Sequence, residues 1–161
     1  MGCPSIVVDT NVWLGNYVPM RAGHESCRHF LQAASEGGAQ LLYPAPILKD
    51  VFYLVGMEFK RQVRAEKGGV DEHDAAIVRR LAWGCVDNLC ELATAVGMDG
   101  SDVWLARKYR ALHGDFEDNF VLAAAERADA DFLVTSDRRL LRKATVAALS
   151  PKDLLALLRA E

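Results

Sequence analysis

The chain has 161 residues, 51% of them hydrophobic and 25% charged, with a formal net charge of −3. That length suits one domain over residues 1–161, with enough interior to fold without disulfides or a structural metal. The composition excludes a disordered or collagen-like chain, and the mild acidity excludes a protein held on nucleic acid by bulk charge alone.

The N-terminus lacks a basic head followed by an apolar stretch, which predicts a cytoplasmic location. SIVVD is a short β-branched run ending in Asp9 and reads as a buried strand. HESCRHFLQAASE is amphipathic and stops at Gly37 and Gly38. His24, Cys27 and His29 lie close together there, but no fourth ligand completes a zinc site, so this stretch reads as a helix surface. QLLYP is a second strand, closed by Pro44. PILKDVFYLVGMEFKRQVRAEK predicts a long helix stopping at Gly68 and Gly69. A second long helix follows, with Val78, Leu81, Ala82, Cys85, Val86, Leu89, Leu92, Ala93 and Val96 at helical spacing. A further helix covers about residues 101–112, and EDNFVLAAAERA forms another. DFLVTS is a third strand and TVAALS a weaker fourth, closed by Pro151 at the start of a last helix. No run approaches the roughly 18 apolar residues of a membrane span. Cys3, Cys27, Cys85 and Cys90 form no CxxC pair and read as reduced thiols.

Strands separated by helices predict an α/β fold. The arrangement is a three-layer α/β/α sandwich with a central, mainly parallel sheet and a long helical hairpin.

In open parallel sheets, ligands bind at the carboxyl ends of the strands. Asp9 ends the first strand and Asp137 follows the third. Either alone serves as a helix cap. Two carboxylates at neighbouring strand ends repel unless a cation lies between them, so the pair favours a metal. Asp118 opens the Ala-rich helix among Phe116, Phe120, Val121 and Leu122; its alternative is a capping box with Asp115, with Glu117 and Asn119 as neighbouring candidates. Asp50 shares a helical face with Ile47, Leu54 and Met57, where an acid needs compensation by a cation or a hydrogen bond; a simple pair with Lys49 is the alternative. Four carboxylates suit Mg²⁺ or Mn²⁺, whereas zinc would call for histidine or thiolate. Such a site suits phosphoryl chemistry by a metal-activated water. Thr10, Asn11, Thr135 and Ser136 are available to orient ligands or water. Three basic groups could hold a polyanion: Lys60, Arg61, Arg64 and Lys67; Arg107, Lys108 and Arg110; and Arg138, Arg139, Arg142 and Lys143. The first two read as solvated helix faces, and the third is marked out by its place after Asp137.

IVVDTNVWLG, the acid in PAPILKD, EDNFVLAAAERADADFLVTSD and the proline after TVAALS together resemble the PIN-domain nucleases, which include VapC-type toxins. The resemblance spans essentially the whole chain. It implies that Asp9, Asp50, Asp118 and Asp137 are the family's four acids, with Asp50 standing where glutamate is more usual. Asn11 and Thr135 match supporting polar positions. It further implies a Mg²⁺ or Mn²⁺ site, hydrolysis of RNA phosphodiesters, an antitoxin partner and a homodimer.

Two other enzyme classes fit less well. A haloacid-dehalogenase-like phosphatase needs a second acid where Asn11 stands, and a receiver domain needs paired acids that are absent. A PIN-like module that binds RNA or protein without cleaving is the alternative from a different class.

Overall fold

The computed structural model describes residues 3–160. Strand β1 (Ser5–Val8) leads directly into helix α1 (Thr10–Tyr17), followed by α2 (His24–Glu36), β2 (Gln40–Pro44) and α3 (Ile47–Lys67). Then come α4 (Glu72–Leu92), β3 (Thr94–Val96), α5 (Gly100–Lys108), a 3₁₀ turn and α6 (Phe116–Arg127). The chain closes with β4 (Phe132–Val134), α7 (Arg138–Lys143), β5 (Ala148–Leu149) and α8 (Pro151–Ala160). No helix among the described residues is long and apolar enough to cross a membrane.

All five strands are parallel, in the order β3-β2-β1-β4-β5. β1 therefore sits at the centre, which is why its residues are apolar on both sides. Side chains of a strand alternate between faces. Ile6 and Val8 pack on one face with α1, α2, the α3–α4 hairpin and Leu154 of α8. Val7 packs on the other with Val121 and Leu122 of α6, Leu140 of α7 and Tyr109. This alternation is the three-layer sandwich expected from the sequence.

The hairpin forms as predicted. Gly68 ends α3 at φ 80°, a left-handed conformation that favours glycine, and the Asp71 carboxylate caps α4 by accepting the Asp74 N–H at 2.7 Å. A glycine is also required at Gly15, where an added Cβ would lie 2.5 Å from Cys27 Sγ. Cys27 is thus buried between α1 and α2, correcting the reading of that stretch as a plain helix surface.

Three element readings change. The periodic stripe does not run on as a helix to Val96: α4 ends at Leu92, and Thr94–Val96 pairs with Leu42–Pro44. Over three residues, helical and strand periods cannot be told apart, and only the free edge of β2 decides. Helix α1 carries no polar stripe to betray it, because Val12, Trp13 and Leu14 are all buried. TVAALS contributes only Ala148–Leu149 as strand.

Candidate functional site

The carboxyl edge of the sheet gathers acids from three elements. Asp9 follows β1 and is 2% exposed; its own N–H donates to the Val134 carbonyl at 3.0 Å, tying it to β4. Although it stands at the cap position of α1, its side chain makes no capping bond. Instead Oδ2 accepts the Thr135 hydroxyl at 2.7 Å, and Thr135 Oγ1 in turn accepts the Asp137 N–H at 3.0 Å. Thr135, fully buried, is the link between the first and last acids.

Asp137 has the capping role considered for it. Its Oδ1 caps α7 by accepting the N–H groups of Arg139 at 2.6 Å and Leu140 at 2.9 Å. The backbone bond from Leu140, above all, holds its carboxyl below the usual range. A ligand atom of its carboxylate also lies within 4.8 Å of those of Asp118 and His113. Asp118 does not close a capping box; Asp115 caps α6 by accepting the N–H groups of Glu117 and Asp118. Asp118 is thereby free to turn toward the sheet edge, where its Oδ2 stands 3.3 Å from His113 Nε2.

His113 had no distinguishing sequence signal, because it lies in the loop before α6 with no second ligand at a fixed spacing. Its Nδ1 accepts the Asp115 N–H at 3.1 Å. In the neutral ring the proton therefore sits on Nε2. A protonated nitrogen cannot ligate a metal, so His113 presents a donor toward the acids.

The electrostatics mark the site as short of positive charge. Burial pushes the Asp9 carboxyl up to about 7; the Thr135 bond opposes this, and Asp118 adds to it. Burial likewise pushes Asp118 up to about 6, with Asp115 and Asp137 adding and His113 opposing. Thr10 Oγ1 is buried with no hydrogen-bond partner among the described residues, and His113 Nε2 has only its 3.3 Å contact with Asp118. Crowded carboxylates with raised proton affinity beside an orphaned hydroxyl fit a hard cation and its water.

Asp50 stands apart from this group. It pairs with Lys49 at 2.5 Å. Glu117 bridges the gap electrically: partial desolvation and then Asp50 raise its carboxyl, and it acts in turn on Asp9. Asn11 accepts from Arg21 at 3.5 Å, and Ser136 lies against the Cys27 thiol. Arg139, Arg142 and Lys143 line a cavity of about 570 Å³ with His113, Gly114 and Asp115, whereas Arg138 does not line it.

Solved structures share this fold. VapBC2 from Rickettsia felis, bound to a DNA fragment from its promoter, matches with TM-score 0.64 at 12% identity, over 91% of this chain and 98% of that one. FitAB bound to IR36 DNA matches with TM-score 0.61 at 16% identity, over 91% and 95%. PAE2754 from Pyrobaculum aerophilum matches with TM-score 0.59 at 20% identity, over 99% and 100%. No curated protein matches significantly. The PIN-domain family model matches residues 5–139, which contain all four predicted acids, and the chain belongs to the PIN-domain family.

Proposed function

We propose that the protein is a metal-dependent endoribonuclease that hydrolyses RNA phosphodiester bonds, and that it is the toxin of a toxin–antitoxin pair. The observation that supports the nuclease reading is Asp118 and Asp137 lying within 4.8 Å of each other at the sheet edge, with Thr135 linking Asp137 to the buried Asp9 beside them. Membership of a family whose members are generally nucleases supports it. The folds shared with VapBC2 and FitAB support the toxin–antitoxin reading, in which a small antitoxin chain covers the site.

Asp9, Asp118 and Asp137 would hold Mg²⁺ or Mn²⁺, with Asp50 acting through water. The bound ion lowers the pKa of a coordinated water and offsets charge on the phosphate. Thr135 keeps the Asp9 carboxylate in register with Asp137. The His113 Nε2–H orients Asp118. Arg139 and Arg142, with Arg138 beside them, draw the polyanionic strand to the site, and Asn11 and Ser136 support its rim. The protein acts in the cytoplasm as a homodimer.

Cleavage of a mixed structured-RNA pool tests this reading, run with Mg²⁺, with Mn²⁺ and with EDTA. Metal-dependent cleavage that Asp9→Asn abolishes is the expected result. The Lys49–Asp50 pair favours one other reading, a non-cleaving module that binds RNA or protein. Calorimetry showing no Mn²⁺ affinity would favour that module and remove the catalytic role of the acids.

A further inference from the structure

The sequence marks Arg107, Lys108 and Arg110 as a solvated helix face. The structure places all three around a cavity of about 640 Å³ beside the acid site, together with Trp104, Phe116 and Asn119. Trp104 is 63% exposed and Phe116 56% exposed, so two large aromatic surfaces face solvent at one opening. Lys108 Nζ stands 5.3 Å from the Trp104 ring centroid. No carboxylate lines the cavity, although the chain as a whole carries a net charge of −3.

The cavity is joined to the acids by the loop 113–116. Gly114 lines both this cavity and the Arg139–Arg142 cavity, and Phe116 also lines a third one with Asp50 and Glu117. Asn119, 1% exposed, donates through Nδ2 to the His113 carbonyl at 3.0 Å. Its Oδ1 is buried with no partner among the described residues, so an acceptor is left over where the cavity meets the acid loop.

Flat aromatic surface, three cations without acids and a spare acceptor together match the parts of a nucleotide. A base offers a π-face and N–H groups, a ribose offers its 2′-hydroxyl, and the backbone offers phosphate. A duplex hides its base faces in the stack and cannot use Trp104. An apolar protein helix would have no use for Arg107, Lys108 and Arg110.

We propose that this cavity seats an unpaired nucleotide of a single-stranded RNA substrate. Its base lies against Trp104 and Phe116, its phosphates meet Arg107, Lys108 and Arg110, and the neighbouring stretch of strand passes over loop 113–116 to the acids. The assignment rests on the nuclease reading and names where the strand is held.

The test is fluorescence anisotropy with a labelled hexaribonucleotide in EDTA, so that neither metal nor cleavage is required. Trp104 is mostly exposed, and thermal melts of each variant check its fold. Loss of stacking in Trp104→Ala weakens binding about tenfold, while Trp104→Phe retains most of the affinity because any aromatic face serves. An abasic hexamer binds the wild type as weakly as the intact hexamer binds Trp104→Ala. Arg110→Ala reduces the salt dependence of binding. Unchanged binding in Trp104→Ala, equal binding of the abasic strand, or equal competition by duplex overturns the assignment; the first would mark the surface as one for a protein partner. The two readings separate cleanly. Trp104-dependent binding without Mn²⁺-dependent cleavage defeats the nuclease reading alone, whereas cleavage without a Trp104 effect defeats this site alone.

Discussion

Asp9 shows what a buried carboxylate does to the fold that holds it. Its carboxyl is raised from 3.8 to about 7, so between those values the folded state binds more protons than the unfolded state. Stability from this group is therefore complete below about pH 4, falls as pH rises, and levels off above about pH 7. Asp118, raised to about 6, acts in the same direction. In EDTA the wild type should melt lower at pH 8 than these groups allow at pH 5, and Asp9→Asn should melt higher than wild type at pH 8. Added Mn²⁺ should raise the wild-type melting temperature at pH 8 and leave that of Asp9→Asn unchanged. An equal rise in both would place the ion elsewhere. The ring of His113 gives a second test at this scale. Nitrogen NMR of the imidazole should show the proton on Nε2. Removal in His113→Ala should cost about 10- to 100-fold in Mn²⁺ affinity, the usual range for groups that orient a ligand. His113→Gln, which keeps an N–H near the Nε2 position, should recover part of it. A proton found on Nδ1 would make His113 a ligand instead.

Among the elements, the α3–α4 hairpin was the most legible, because long periodic stripes bounded by glycine have few alternative readings. Gly68 at φ 80° is the residue that lets the two helices turn back on each other. Gly68→Ala should cost about 1–2 kcal/mol, the penalty of a side chain in the left-handed region. At this chain length that is a fall of about 2–8 °C in melting temperature. Mn²⁺ affinity should not change, since the turn touches none of the acids; a change would mean that the hairpin couples to the site. Short elements were poorly legible for a physical reason. β3 has three residues and β5 two, and each is a strand only because a neighbouring edge offers hydrogen-bond partners.

At the scale of the whole molecule, the α3–α4 hairpin leaves a group of apolar side chains uncovered. Tyr53 is 66% exposed, Met57 63% and Trp83 55%, with Ile77 and Leu81 also exposed on α4. Contiguous apolar surface of this kind marks a contact with another chain. If it serves the proposed homodimer, light scattering should give the mass of two chains. A Met57→Glu, Trp83→Glu double variant should run as a monomer with its Mn²⁺ affinity intact. A wild-type monomer would assign the face to a different partner.

The α/β class, the layering and the placing of Asp9 and Asp137 at strand ends were legible in the sequence, because each depends on local pattern. Apolar β-branched runs make buried strands, and an acid directly after such a run lies at the carboxyl edge whatever the rest of the fold does. Which of those acids meet depends on contacts between residues far apart in the chain. The Lys49 partner of Asp50 is its chain neighbour, whereas Thr135 joining Asp9 to Asp137, and Asp118 brought beside Asp137, follow from how the elements pack. The same holds for Arg107, Lys108 and Arg110. In sequence they are charges on a short helix, and only the packing of α5 against α6 makes them, with Trp104 and Phe116, the wall of a cavity beside the acids. Periodicity reports which side of an element is wet; it carries no information about which wet surfaces are brought together.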